Sequence, residues 1–417
     1  MSRLLIRAGQ LIDGTGAAPI EGAALLADGE RIVAVGRAAD LGSVEGALVI
    51  DAPHATLMPG LIDAHVHLAF SGINNSRAFR AELAELNYAR IALRAARFAR
   101  DTLEAGFTSV RDMHAPGGTI IDLAAAIERG DVDGPRVKAC GAGLCPTGGH
   151  MDQPGWADHT WFRDMTAPCD GPVEFLKGVR VQMKRGADFI KINSCVSYRK
   201  DSSRNFKQEM TDAEIEAVCH EAHEHGLKVA SHTSGGPGLV ACVRYGVDTI
   251  EHGHWIDDAT LELMALKGLF LVPTLLVNER NFETSPEEQG ISEAGMRWLR
   301  AARESKWDVL ARARKAGVRI LCGSDTGFML EHGRRNAEEI ALLVQGGLSP
   351  MEAIVAATGA AADAIEVDAG RLQQGRYADL LLVEGDPLAE IRVLQDRSKF
   401  RIWKGGAEVT GRTGTAT

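Results

Sequence analysis

At 417 residues, with 45% hydrophobic and 24% charged side chains, the chain has an ordinary globular composition, and single α/β barrels reach this length. Its 46 basic residues stand against 56 acidic ones, a formal charge of −10, which argues against nucleic acid or an anionic membrane surface as partner. The seven scattered cysteines include no Cys-x-x-Cys pair, the N-terminus has no apolar leader core, and no stretch reaches the length of a membrane span; together these point to the cytoplasm.

Residues 1–58 alternate apolar and polar positions in short runs (Leu4–Ile6, Ala23–Leu26, Arg31–Val35, Ala47–Ile50), with turns at Asp13–Gly16 and Asp28–Glu30. This predicts a small antiparallel β unit. The same texture returns in Ala378–Val383, Val393–Leu394 and Phe400–Gly405. Residues 1–58 and 367–417 are therefore expected to form one β-sandwich domain around a middle domain of residues 59–366.

In the middle, short β-branched runs alternate with helical patterns. Strands are expected at Leu61–Leu68, Phe107–Met113, Arg136–Gly141, Phe189–Ser194, Lys228–Thr233, Thr249–Gly253, Phe270–Leu275 and Arg319–Thr326. Helices are expected at Arg77–Ala105, Ile120–Arg129, Pro172–Arg185, Asp212–His225, Gly238–Tyr245, Asp258–Leu266 and Met296–Ala316, most of them closed by a glycine. Eight strand–helix repeats predict an α/β fold of the (β/α)8 TIM-barrel type. A doubly wound sheet would be expected to carry a phosphate-binding glycine loop, and no strand is followed by one. The polar segments Asn193–Met210 and Asn278–Gly295 read as long irregular loops over the active face.

His65 and His67 lie two residues apart on the first strand, so both imidazoles face one way. Lys191 sits inside the apolar strand Phe189–Ile192; His232, His252 and Asp325 end strands five, six and eight. Singly, a histidine there is usually structural, a lysine snorkels and an aspartate caps a helix. Jointly, six such groups at C-terminal strand ends predict one site. Imidazoles with a carboxylate suit Zn²⁺ and similar cations. An ammonium cannot ligate, but the carbamate that lysine forms with CO₂ can bridge two metals. A bridged pair would acidify a shared water and polarise a carbonyl, with Asp325 as general base and acid.

The motifs Pro59–His67, Lys191, His232, Ile250–Gly253 and Gly323–Thr326, with the tail Gly370–Leu380, resemble the amidohydrolase superfamily over nearly the whole chain. The resemblance implies His65, His67 and Asp325 on the more buried of two divalent ions, with zinc expected. It implies His232 and His252 on the other ion, carbamylated Lys191 between them, and a homo-oligomer. Val110–Asp112, Thr147–His150, Gly186–Lys191 and Gly246–Gly253 resemble the imidazolonepropionase-like and Xaa-Pro dipeptidase-like branch. That branch implies hydrolysis of a small-molecule amide: a peptide-like or N-acyl amino acid substrate, or a xenobiotic amide. The alternative is a cyclic amide hydrolase or a deaminase; Lys191 speaks against mononuclear deaminases. A non-catalytic metal-binding or scaffold protein would be expected to have lost ligands, and all six positions are filled. Met113–Ala115 and Asn193–Tyr198 depart from the glycine-rich pattern and leave the substrate open. His150, after a Thr-Gly-Gly turn, is expected to contact substrate, with Tyr198 and His114 as further candidates. His220, His223 and His225 match no zinc-protease spacing and read as a solvated helix face.

Overall fold

The computed structural model describes residues 3–85, 87–150, 152, 165–195 and 207–410. Its strands, in chain order, begin with β1 (Arg3–Leu11), β2 (Ile20–Asp28), β3 (Arg31–Arg37), β4 (Ala47–Pro59), β5 (Leu61–Val66) and β6 (Phe107–Asp112). There follow β7 (Arg136–Ala139), β8 (Gly143–Cys145), β9 (Thr166–Pro168), β10 (Phe189–Asn193), β11 (Lys228–Gly235) and β12 (Thr249–Trp255). The last are β13 (Phe270–Val272), β14 (Arg319–Ile320), β15 (Leu380–Glu384), β16 (Phe400–Lys404) and β17 (Ala407–Glu408).

The two ends of the chain share one seven-stranded sheet, ordered β17-β16-β15-β4-β1-β2-β3. Alternating side chains bury Leu4, Ile6, Leu25, Leu57, Leu380, Leu382 and Trp403 on its inner side. The sheet is not wholly antiparallel, as the hairpin texture suggested. β1 pairs antiparallel with β2 (Leu5 opposite Leu26) but parallel with β4 (Leu5 opposite Val49). A parallel partner needs a crossover, and residues 20–46 supply it through β2, β3 and the short helix Ala38–Leu41. Val393 and Leu394, expected in a strand, lie instead in the 3-10 helix Ile391–Gln395.

All eight expected middle strands are present and pair in parallel. They divide between a seven-stranded sheet, β14-β13-β12-β11-β10-β8-β9, and a three-stranded sheet, β5-β6-β7, rather than forming one continuous ring. The third strand is split into β7 and β8, with Gly141 between them at φ 72°. The short β9 was not foreseen. Strand eight is assigned only over Arg319–Ile320, yet the chain after it runs along β5. Ala64 N–H donates to Cys322 O at 2.9 Å, Asp325 N–H to His65 O at 2.8 Å and His67 N–H to Thr326 O at 2.8 Å. At the other seam Asp188 N–H donates to Ala139 O at 2.8 Å. β5, β6 and β10 are buried throughout, as expected of parallel strands covered on both faces.

The helices end where glycine predicts. Gly186, Gly246, Gly268 and Gly317 cap theirs in the left-handed conformation. The long helix expected over Arg77–Ala105 is two, Ser76–Glu85 and Tyr88–Glu104, because the Asn87 side chain accepts from Arg90 N–H and starts the second. Asn278–Gly295 is largely helical, not irregular. It holds the end of Leu275–Arg280, a capped turn Pro286–Gln289 and the start of Glu293–Ala316. Among the described residues no helix is long and apolar enough to cross a membrane.

One ion pair ties the end-strand sheet to the parallel strands. Arg136, on β7, donates from Nε and Nη2 to Asp379 at 2.8 and 3.1 Å, and Gly405 N–H donates to the same carboxylate at 2.7 Å. Asp379 is fully buried. Asp379→Ala leaves Arg136 and Gly405 without their acceptor, and a loss of about 3 kcal/mol is expected. Urea unfolding read by circular dichroism measures it, and a change under about 1 kcal/mol would show the link to be dispensable.

Candidate metal centre

β5 carries Asp63 and His65, and His67 follows directly after it. The Asp63 carboxylate accepts from Ser324 N–H at 3.0 Å, Ser324 Oγ at 2.5 Å and Asn336 Nδ2 at 2.8 Å. This fixes the turn that carries Asp325 against β5. His65 Nε2 lies 3.5 Å and His67 Nε2 3.1 Å from Asp325 Oδ1. One ligand atom from each of these three buried residues falls within 4.8 Å of the others.

The remaining predicted ligands gather beside this trio. In register, Asn193 of β10 faces His232 of β11, and His232 faces Glu251 of β12. The His252 ring lies 4.5 Å from that of His232 and 5.1 Å from that of His65, centroid to centroid. Lys191 is buried; burial chiefly, and its nearby charge to a lesser degree, depress the pKa values of His65, His114, His232 and His252.

Protonation is set from behind. Glu251 Oε2 lies 2.7 Å from His65 Nδ1, and its other oxygen accepts from Arg111 Nη2 at 2.7 Å and Thr249 Oγ1 at 2.6 Å. Arg111 also donates to Ala64 O at 2.8 Å and Thr249 Oγ1 at 3.1 Å. Burial alone would raise the Glu251 pKa, but the Arg111 charge and the His65 contact outweigh it and hold it at about 2. The carboxylate therefore keeps the His65 proton on Nδ1 and leaves Nε2 toward Asp325. Burial pushes His65 down to about 4, and His232 and His252 well below the ordinary imidazole value, so all three are neutral lone-pair donors. Burial also lowers the Lys191 ammonium to about 8.

These residues fit divalent ions. Among the described residues Lys191 Nζ and His232 Nε2 are buried without a hydrogen-bond partner, a costly state for polar atoms that a ligated cation would relieve.

Two of the three substrate-contact candidates lie at the cluster. The half-buried His150 ring stacks on His232 at 4.2 Å and 14°, and its backbone N–H donates to Glu209 Oε2 at 2.8 Å. The buried His114 ring sits 4.7 Å from His67, with Nδ1 3.0 Å from Met113 O. Tyr198 lies outside the described residues. His223 and His225 are solvent-facing, beside Asp248 and Glu221, as their helix position predicted.

Sequence reasoning missed Asp63, Arg111 and the carboxylate of Glu251. The signal existed: an arginine inside Thr108–Asp112 and a glutamate inside Thr249–His252 are charges in apolar strands, the feature that singled out Lys191. Arg111→Met leaves the buried Glu251 charge without its guanidinium partner, at an expected cost of about 3–5 kcal/mol, and adding Glu251→Gln should recover part of it. A double-mutant cycle from urea unfolding checks this; additive losses would mean the two groups act independently.

The comparisons agree with this architecture. The amidohydrolase family model matches residues 56–409. The chain is 32% identical to ochratoxinase of Aspergillus niger over 428 aligned positions, covering 96% of this chain and 85% of that enzyme. A solved Xaa-Pro dipeptidase with methionine bound in its active site superposes with a TM-score of 0.88 at 30% identity, covering 98% of this chain and all of that one. Imidazolonepropionase of Salinispora tropica is 25% identical, over 80% of this chain and 79% of that enzyme. With imidazoles and a carboxylate meeting where strand ends converge, and the family match spanning both sheet systems, the chain belongs to the amidohydrolase family, hydrolases of C–N bonds.

Proposed function

We propose that this chain is a binuclear metal-dependent amidohydrolase that cleaves the linear amide of a peptide-like or N-acyl amino acid substrate, or of a xenobiotic amide. The observation that carries this reading is the convergence of His65, His67 and Asp325 beside the rings of His232 and His252, with the orphaned Lys191 amine buried among them. Two of the relatives, an ochratoxinase and a Xaa-Pro dipeptidase, act on amide bonds. On this reading the parallel strands close as a (β/α)8 barrel over residues 59–366, with residues 1–58 and 367–417 as a small β-sandwich. The backbone bonds from β5 to Cys322, Asp325 and Thr326 support that closure.

His65, His67 and Asp325 would hold one ion, His232 and His252 the other. Lys191 would bridge them as a carbamate: the neutral amine adds to the carbon of CO₂, forming an N–C bond, and releases one proton. The lowered pKa of Lys191 makes the neutral amine more accessible. Paired divalent ions, zinc by the donor set, supply an acidified water and a polarised scissile carbonyl. Asp325 takes the proton from the attacking water and passes it to the leaving nitrogen as the C–N bond breaks. His150 and His114, at the edge of the cluster, present ring nitrogens to the substrate's carbonyl or carboxylate.

Metal analysis and a screen of dipeptides and N-acyl amino acids, with lactams and imidazolones as the cyclic arm, test the reading. Two ions per chain, loss of activity on chelation and recovery with Zn²⁺ are expected. Lys191→Ala should lower kcat/KM about a hundredfold or more and release bound metal. Near-normal turnover in that variant would refute the bridged pair; activity confined to the cyclic arm would move the substrate class to ring opening.

A further inference from the structure

His252 is held from behind by a group that nothing in its own strand supplies. Its Nδ1 lies 2.8 Å from Thr274 Oγ1, in the turn after β13. Thr274 is fully buried and adopts φ 48° and ψ 55°, a left-handed conformation that is rare for a β-branched residue. Two distant helices fix it there. Lys306, inside Glu293–Ala316, donates from Nζ to Thr274 O at 2.9 Å and to Thr274 Oγ1 at 3.1 Å. Glu339, inside Glu338–Gln345, accepts from Leu275 N–H at 2.9 Å and Leu276 N–H at 2.7 Å, locking the next two residues. Lys306 is 2% exposed and forms no salt bridge among the described residues. The charges that favour its protonated form are those of Glu339, Asp325 and Glu279, none of them in ion-pair contact with it, and its direct hydrogen bonds go to Thr274.

We propose that Lys306 and Thr274 are positioning residues that set the tautomer and aim of His252. Lys306 Nζ donates to Thr274 Oγ1, and in its ammonium form it has only donors to offer. A hydroxyl oxygen has a second lone pair, and it takes the proton on His252 Nδ1. His252 Nε2 is then bare, on a ring whose centroid lies 4.5 Å from that of His232 and 5.1 Å from that of His65. Without the lysine, the hydroxyl is free to donate its own hydrogen to Nδ1, which would place the imidazole proton on Nε2 and spoil it as a ligand. Glu251 behind His65 is the counterpart on β5, so each of these two histidines has a buried partner that dictates which nitrogen faces the cluster.

This inference rests on the metal reading of His252, and the test separates the two. Wild type, Thr274→Val, Thr274→Ser, Lys306→Met and His252→Ala are stripped with chelator and titrated with Co²⁺. Stoichiometry, competition affinity and the visible ligand-field spectrum are the readouts, with thermal melts as the folding check. Thr274→Val should weaken one of the two ions by about 10–100-fold and alter its spectrum, while Thr274→Ser stays within about threefold of wild type. Lys306→Met should match Thr274→Val, and the double variant should be no worse than either single one. If His252→Ala loses an ion but Thr274→Val binds both with wild-type affinity and spectrum, the positioning role is overturned and the metal reading stands. If wild type binds no ion, both fall. Should Lys306→Met fail to fold, the valine and serine variants still decide the question.

Discussion

One buried carboxylate holds three parallel strands to a common purpose. Glu251 on β12 joins Arg111 on β6 to His65 on β5 through contacts of 2.7 Å on each side. Placing a carboxylate and a guanidinium where both are within 2% of full burial is expensive by itself, and only mutual pairing with further hydrogen bonds to each offsets that cost. Thr249 donates to the Glu251 carboxylate and the Ala64 carbonyl accepts from Arg111. The result is a rigid base on which the first imidazole can stand in one tautomer. Asp63 performs the same service for the turn bearing Asp325, accepting four hydrogen bonds from Ser324, Asn336 and His65. His65 and Asp325 are thus each held by a buried carboxylate beneath them.

Much of this could be read from local pattern. The eight middle strands, the glycine helix ends and the convergence of His65, His67, His232, His252 and Asp325 follow from period-two and period-3.6 signals and from where polar residues interrupt apolar runs. What the pattern could not carry is partnership over long separations. Lys191 stood out because no local carboxylate neutralises it; the acid that most raises its pKa is Glu251, sixty residues on. Thr274 and Lys306 gave no signal, since a threonine after a strand and a lysine in an amphipathic helix are both ordinary. Sheet topology was hidden for the same reason: β1 and β4 share the alternation of hairpin strands, and nothing local says that they run parallel.

Backbone strain is the other feature invisible in composition. Among the described residues five that are not glycine have positive φ, and His252, Thr274 and Asp325 are three of them. None is a residue type that favours this region as glycine does, although aspartate and histidine tolerate it better than threonine. Such conformations persist only where surrounding contacts over-determine them. Here those contacts are the buried hydrogen bonds of Lys306, Glu339 and Asp63.

The strain has a geometric use. In a regular strand Glu251 and His252, being consecutive, would face opposite sides of the sheet. The φ of 71° at His252 breaks that alternation. Glu251 can then bond His65 Nδ1 while the adjacent His252 ring lies 5.1 Å from the His65 ring. The same device recurs after β14, where Asp325 at φ 60° follows Ser324. Ser324 Oγ grips Asp63 at 2.5 Å, and Asp325 Oδ1 reaches His67 Nε2 at 3.1 Å, so two neighbouring residues both serve β5. Each of these two left-handed residues thus lets one short segment deliver both a supporting group and an imidazole or carboxylate to the same cluster. A straight strand would need two segments to do this.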